Sequence, residues 1–323
     1  MKASVYLNYG EPEVLNIAEV TRPIPKHNEV LIRVYASTVT AADIMMRKGK
    51  PAIGRLYLGL LKPKRTILGF EFAGEIVEIG NGVTTFAVGD RVFGGTTALG
   101  CYAEYVCVSA EDVIATMPDN TTFEEASPVS GSAITVMNFL QGKANIKKTD
   151  NVLVYGASGG VGSYAVQIAK WFGAEVTAVC GTSNQAMVRS LGADFVIDYT
   201  KEDFTQSGKR YDIIFDTVGK TSFSHCKRSL TSTGIYLSTV LSFPLLLQMM
   251  WTALFGGKKA ITSSTGMLPA KERLRYLLQI KELLQTGKIV TVIGTRYTLS
   301  QMPEAHRYVE KGHKKGNLVI TIA

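Results

Sequence analysis

Gly156-Ala157-Ser158-Gly159-Gly160-Val161-Gly162 is the stretch of this chain best suited to chemistry. It carries no bulky side chain near the backbone. It lies between a short apolar run, Asn151–Tyr155, and a stretch whose apolar residues Ala165, Val166, Ile168 and Ala169 recur at helical spacing. A buried strand, a glycine turn and a helix in that order present unpaired backbone N–H groups and the positive end of the helix dipole. The ligand suited to them is a pyrophosphate. Ser158, Gly159, Gly160, Val161 and Gly162 are therefore the candidate phosphate-binding residues, with Gly160 expected where the backbone meets the pyrophosphate. Aligned on its last two glycines, the turn reads Ala157-x-Gly159-x-x-Gly162, which departs from the G-x-G-x-x-G dinucleotide fingerprint at one position.

A dinucleotide site selects its cofactor about 20 residues further on, where the end of the second strand meets the adenosine ribose. An Asp or Glu there accepts from the ribose 2′-hydroxyl and repels a 2′-phosphate. No acidic residue occurs between Val176 and Ala193, and the strand end reads Cys180-Gly181-Thr182-Ser183-Asn184. Thr182 and Ser183 are small hydrogen-bond donors that leave room for a phosphate. Arg189, or a lysine folded in from elsewhere, would supply charge. The expected cofactor is NADPH.

Other catalytic patterns are missing. None of the tyrosines has a lysine four residues on, and no Ser–His–Asp order or paired-carboxylate motif stands out. His27, His225, His306 and His313 are scattered without ligand spacing and read as surface or structural. Cys101, Cys107, Cys180 and Cys226 include no C-x-x-C pair, which fits four reduced thiols in the cytosol. Asp43 opens a short helical pattern, as a helix N-terminal cap or as a proton-transfer group.

The elements around these residues fall into two parts. Residues 1–120 read as β-rich, with strand-like runs at 3–6, 29–37, 71–80, 90–93 and 102–108 separated by Gly, Pro and Asn turns. Residues 121–146 look helical. After the glycine turn, strands at 175–180, 195–197, 211–216, 234–239 and 259–263 alternate with helices at 184–191 and 221–230. That alternation predicts a doubly wound parallel sheet. An amphipathic helix at 269–286, a shorter one at 303–311 and a strand at 318–322 close the chain.

With 323 residues, the chain is long enough for two domains. It is 46% hydrophobic and 19% charged, which is a globular composition. The net charge of +8 is carried by residues 256–323, which hold 12 Lys/Arg against 4 Asp/Glu. Such a basic portion attracts nucleic acid, or a polyanionic cofactor; the second reading is preferred, and no nucleic acid partner is expected. The N-terminus lacks an apolar signal core. The most apolar segment, 241–255, is shorter than the roughly 20 residues of a spanning helix. A soluble, cytoplasmic protein with no membrane partner is expected.

The spacing Leu153-x3-Ala157-Ser158-Gly159-Gly160-x-Gly162-x4-Gln167-x2-Lys170 resembles the signature of the zinc-independent quinone oxidoreductase and ζ-crystallin branch of the medium-chain dehydrogenase/reductases. Residues 67–95 and 30–49 resemble the GroES-like half of that superfamily. The resemblance implies a GroES-like β-rich catalytic domain, residues 1–122 and 265–323, and a doubly wound Rossmann NADP(H)-binding domain, residues 123–264. It implies that Thr135 lies beside the nicotinamide and Tyr199 near the adenosine phosphate, and it adds Thr239 and Asn317 to the cofactor site. Thr40 falls where zinc alcohol dehydrogenases have a cysteine ligand, and Phe70 where they have a histidine. Neither serves zinc, and no metal site is expected.

Reducing an isolated carbonyl needs a Lewis acid or strong proton donor. Without one, the expected acceptors are already electrophilic: quinones and α,β-unsaturated carbonyl compounds. Thr40, Met45 and Tyr57 from the first part, and Trp251 with its apolar neighbours from the second, are the candidate pocket walls. Residues 241–255 read equally well as a subunit contact, and a homodimer or homotetramer is expected. Two other functions stay open: an alcohol dehydrogenase-like carbonyl reductase, and an NADPH-binding regulatory or RNA-binding protein of the ζ-crystallin kind.

Overall fold

The computed structural model describes residues 1–312 and 314–322, apart from the side chains of Ile53 and Tyr57. The chain divides into two compact units. Met1–Gly131, Pro269–Gly287 and Thr291–Ala323 form the first; Ser132–Leu268 and Lys288–Val290 form the second.

The first unit is built from short strands broken by turns. β1 (Lys2–Val5) and β2 (Asn16–Glu19) pair as an antiparallel hairpin. β3 (Glu29–Thr38), β4 (Glu71–Ile79), β5 (Arg91–Gly95), β6 (Tyr105–Ser109) and β7 (Val113–Thr116) are antiparallel neighbours along the paths β3-β4-β5-β7 and β3-β6. The long strand β3 alternates its inner residues Val30, Ile32 and Val34 into one core with Phe72, Ile76, Val92 and Val106. Its period-two pattern is the reason a sheet forms here.

The second unit holds the expected parallel sheet. β8 (Asn151–Tyr155), β9 (Glu175–Cys180), β10 (Phe195–Asp198), β11 (Tyr211–Asp216), β12 (Leu230–Ser238) and β13 (Lys259–Thr262) stand in the order β10-β9-β8-β11-β12-β13, every pair parallel. Counted from β8, this is the 3-2-1-4-5-6 order of a dinucleotide-binding fold. Val152, Leu153 and Val154 are fully buried, as a strand covered on both faces must be. The chain then returns to the first unit, where β14 (Ile293–Thr298) and β15 (Asn317–Thr321) extend its sheet beside β3.

One segment differs from the sequence-based expectation and a second shows how its apolar run is placed. The helical stretch at 121–146 is broken into α-turns at Phe123–Ala126 and Ile134–Met137 with wide π-turns at Val129–Ala133 and Asn138–Lys143. Pro128 explains the first break, since it lacks an N–H and its ring clashes with the preceding turn. The apolar run at 241–255 forms a helix, Phe243–Leu254, capped by the Ser242 side chain accepting from Leu245 N–H. It buries only Leu245 and Thr252, and leaves Phe243, Leu247, Met250, Trp251 and Leu254 exposed.

Candidate functional site

All six parallel strands deliver their C-terminal ends to one edge, and the sheet order reverses between β8 and β11, where such sheets bind ligand. The glycine turn follows β8 at that point. Gly156 has φ +80°, a conformation other residues rarely adopt. Its N–H and that of Ala157 both donate to Val179 O, at 3.1 and 3.0 Å, folding the turn back onto β9. Gly159 is extended and caps the helix Gly160–Trp171.

The glycines differ in what surrounds them. A Cβ on Gly162 would collide with Gly156 O and lie 2.8 Å from Ala157 Cα, so only glycine lets the helix approach the strand. A Cβ on Gly159 would meet just Gly156 O, at 3.5 Å. The turn is therefore closed on its inner face and open at Gly159. Gly160, buried, is the first helical residue, and the N–H groups of Gly160, Val161 and Gly162 precede the first helical hydrogen bond. Ser158 is half-buried in the same turn. Open approach at Gly159, donors ahead of the first helical bond and the helix dipole fit a pyrophosphate.

Two signature residues of this helix do other work. Gln167, 6% exposed, donates to Val290 O at 3.0 Å and accepts from Val290 N–H at 2.7 Å, pinning the returning chain. Lys170 pairs with Asp194 at 2.8 Å, and Asp194 in turn accepts from Val176 N–H at the head of β9. The pair fixes where the second strand begins.

Asp216 ends β11 fully buried, accepting from the N–H groups of Val218, Gly219 and Thr221 and from Tyr236 O–H, at 2.8 to 3.2 Å. Burial nevertheless pushes its carboxyl above the usual range, against those four donors. The loop it shapes packs on the glycine turn, since Thr217 Oγ1 donates to Tyr155 O at 2.9 Å and a Cβ on Gly156 would press on Val218.

The adjacent ends of β9 and β10 bring Thr182 and Tyr199 near one another. Thr182 and Ser183 follow β9 and are exposed, and Tyr199 follows β10, half exposed, with its N–H donating to Cys180 O at 3.2 Å. The Thr182 hydroxyl, expected to be free for a phosphate, instead donates to Asp198 Oδ2 at 2.5 Å. Sequence reasoning missed Asp198 because it searched the end of β9 alone. In a parallel sheet the neighbouring strand ends level with it, and the signal was the aspartate of Val196-Ile197-Asp198-Tyr199. Lys201 brings a cation to this strand end, 3.9 Å from Asp198 Oδ2.

The remaining candidates are spread over both units. Thr135 is half-buried on the helical turn Ile134–Met137, and Thr239 follows β12 with its N–H on Asp216 O at 3.1 Å. Asn317 belongs to the first unit, 3% exposed, its amide donating to Val292 O at 3.2 Å. Thr40 caps the helix Ala41–Lys48, giving its hydroxyl to Asp43 Oδ2 at 2.6 Å and its N–H to the same atom at 2.9 Å. Asp43 is thus not the cap itself but the third helical residue of a capping box closed by Thr40, and burial raises its pKa. Met45 is half exposed and Trp251 lies 62% exposed on its helix, with the Phe255 ring 4.4 Å away. The Tyr57 side chain and His313 lie outside the described residues.

Phe70 packs into the core of the first unit. His306 is fully buried edge-on to Tyr102, and burial lowers its pKa to about 3. The cysteines are unpaired, their thiols pushed up by burial. Among the described residues no three of His, Cys, Asp and Glu converge as metal ligands, and no helix is long and apolar enough to cross a membrane.

Comparison with known proteins agrees with this architecture. An alcohol dehydrogenase GroES-like domain family matches residues 26–119, and a family described as zinc-binding dehydrogenase matches residues 191–320. A chloroplast envelope quinone oxidoreductase homolog of Arabidopsis thaliana is 32% identical, over 99% of this chain and 98% of its own. The 2-methylene-furan-3-one reductase of Solanum lycopersicum is 30% identical over 99% of this chain and 79% of its own. The solved Escherichia coli quinone oxidoreductase complexed with NADPH matches with a TM-score of 0.84 at 26% identity, over 99% of this chain and 100% of that one. With relatedness running along the whole chain and through both sheets, the protein belongs to the medium-chain dehydrogenase/reductases, in their quinone oxidoreductase and ζ-crystallin-like branch of nicotinamide-dependent oxidoreductases.

Proposed function

We propose that this oxidoreductase transfers hydride from NADPH to quinones or α,β-unsaturated carbonyl compounds without zinc. The observation that carries the reading is the glycine turn: open at Gly159, closed at Gly162, and set at the switch point of a 3-2-1-4-5-6 sheet. The relatives named above support the acceptor class, one named for quinones and one for a ketone conjugated to a methylene group. NADPH is the cofactor named with the Escherichia coli structure.

Bound, the nicotinamide supplies the hydride. The chain's own residues do the rest. The turn N–H groups hold the pyrophosphate, Thr182, Ser183, Tyr199 and Lys201 meet the adenosine end, and Thr135 and Thr239 orient the nicotinamide end. Thr40 gives its hydroxyl proton to Asp43, and Phe70 has no ligand atom, so neither supplies a metal bond or a strong acid. Substrates that spread negative charge onto oxygen by conjugation need neither, and positioning with water exclusion suffices. Trp251 and its exposed apolar neighbours form the wall for a flat, apolar acceptor, and solvent supplies the proton. A cytoplasmic location and a homodimer or homotetramer belong to the same reading, the first supported by four unpaired thiols.

Nicotinamide fluorescence titration tests the cofactor. NADPH should bind several-fold more tightly than NADH; equal or reversed affinities would contradict the preference.

A further inference from the structure

The strand end that selects the cofactor is less neutral than its own sequence. Asp198 closes β10 level with Cys180 of β9. Its Oδ2 accepts from Thr182 Oγ1 at 2.5 Å and Gln185 Nε2 at 3.2 Å, and its Oδ1 accepts from Thr200 N–H at 3.0 Å and Thr200 Oγ1 at 2.7 Å. These hydrogen bonds, Thr182 and Thr200 foremost, pull its pKa down to about 2, so the carboxylate is charged throughout the working range. It is 4% exposed and lies directly behind the exposed Thr182.

Two consequences follow from that arrangement. First, a hydroxyl has one proton, and Thr182 spends it on Asp198. Toward a ligand the Thr182 hydroxyl has only lone pairs, which accept from a ribose 2′-hydroxyl and have no proton to give a phosphate. Second, the fixed negative charge repels a 2′-phosphate dianion, with Lys201 as the opposing cation, its side chain 66% exposed and free to reach outward.

We propose that Asp198 is a specificity-determining residue of this site: a carboxylate supplied by the neighbouring strand that, through Thr182 and its own charge, favours a free ribose 2′-hydroxyl and limits the preference for NADPH. The inference rests on the reading that a nicotinamide dinucleotide binds at the glycine turn, and it names the balance between Asp198 and Lys201 as what sets the cofactor ratio.

The test measures dissociation constants of NADPH and NADH for wild type, Asp198→Asn and Lys201→Gln at one ionic strength. Removing the carboxylate charge should raise the NADH-to-NADPH ratio of dissociation constants about fivefold or more. Lys201→Gln should lower it. Should Asp198→Asn fail to fold, Thr182→Val removes the accepting hydroxyl from an exposed position, and NADH binding should weaken while NADPH binding holds. Ratios that stay within about twofold of wild type in every folded variant would overturn the proposal and leave Asp198 a loop-ordering group. Which cofactor wild type prefers tests the NADPH reading separately, because the shift on substitution is defined for either preference.

Discussion

Gly159 and Gly162 belong to one turn and answer to different demands. Gly159 has φ −80°, and a Cβ there would make only an ordinary contact with Gly156 O at 3.5 Å, so the fold itself does not require glycine there. Gly159→Val should melt close to wild type, within about 0.5 kcal/mol. Wild type should gain about 2.7 kcal/mol from NADPH at 100 times its dissociation constant, and the variant should gain nothing. Gly162→Ala should lose several kcal/mol with or without NADPH, because its Cβ meets backbone that cannot move aside. A Gly159 variant still stabilised by NADPH would move the phosphate site elsewhere. A second residue-scale prediction concerns Glu71, 4% exposed at the head of β4. Burial pushes its carboxyl up to about 8, against the hydrogen bond from Thr38 Oγ1 at 2.7 Å. In the unfolded chain it ionises near pH 4.3, so its contribution to stability is present at low pH and is lost as pH rises toward 8. Melting curves at pH 5, 7 and 9 should fall more steeply for wild type than for Glu71→Gln; parallel curves would show that Glu71 is ionised in the fold.

At the scale of elements, the sequence was most legible where one period ruled a whole segment. β3, β9, β11 and the helix Ala270–Gln285 lie within a residue or so of where the apolar pattern puts them. Where local rules compete, less was legible. The stretch 123–143 has helical composition but is split by Pro128 and π-turns, and β14 was missed because its inward positions, Ile293, Thr295 and Tyr297, are only half-buried and include a polar residue. The helix Phe243–Leu254 is apolar all round, and periodicity cannot orient such a helix. Trp251→Ala should raise KM for a quinone several-fold while leaving NADPH affinity and solution mass unchanged. A drop in mass by light scattering would make this helix a subunit contact instead. Gln167 shows how a recognisable signature conceals its reason: the spacing drew attention to it, but only the fold shows it pinning Val290. Gln167→Ala should cost about 1–3 kcal/mol of stability without changing affinity for NADPH, and a selective loss of affinity would mean that it touches cofactor.

For the molecule as a whole, fold class and family were legible because a glycine turn between a strand and a helix, followed by alternating strands and helices, admits few topologies. Asp198 was not legible, because β9 and β10 are neighbours only once the sheet exists. The proposed reaction is tested most directly by an NADPH-oxidation assay on protein dialysed against chelator, with its zinc content measured and with quinones, enones, simple ketones and simple aldehydes offered in parallel. The account predicts turnover with quinones or enones, little with simple carbonyls, and the same rate before and after dialysis. Stoichiometric zinc lost together with activity, or turnover confined to simple carbonyls, would contradict it.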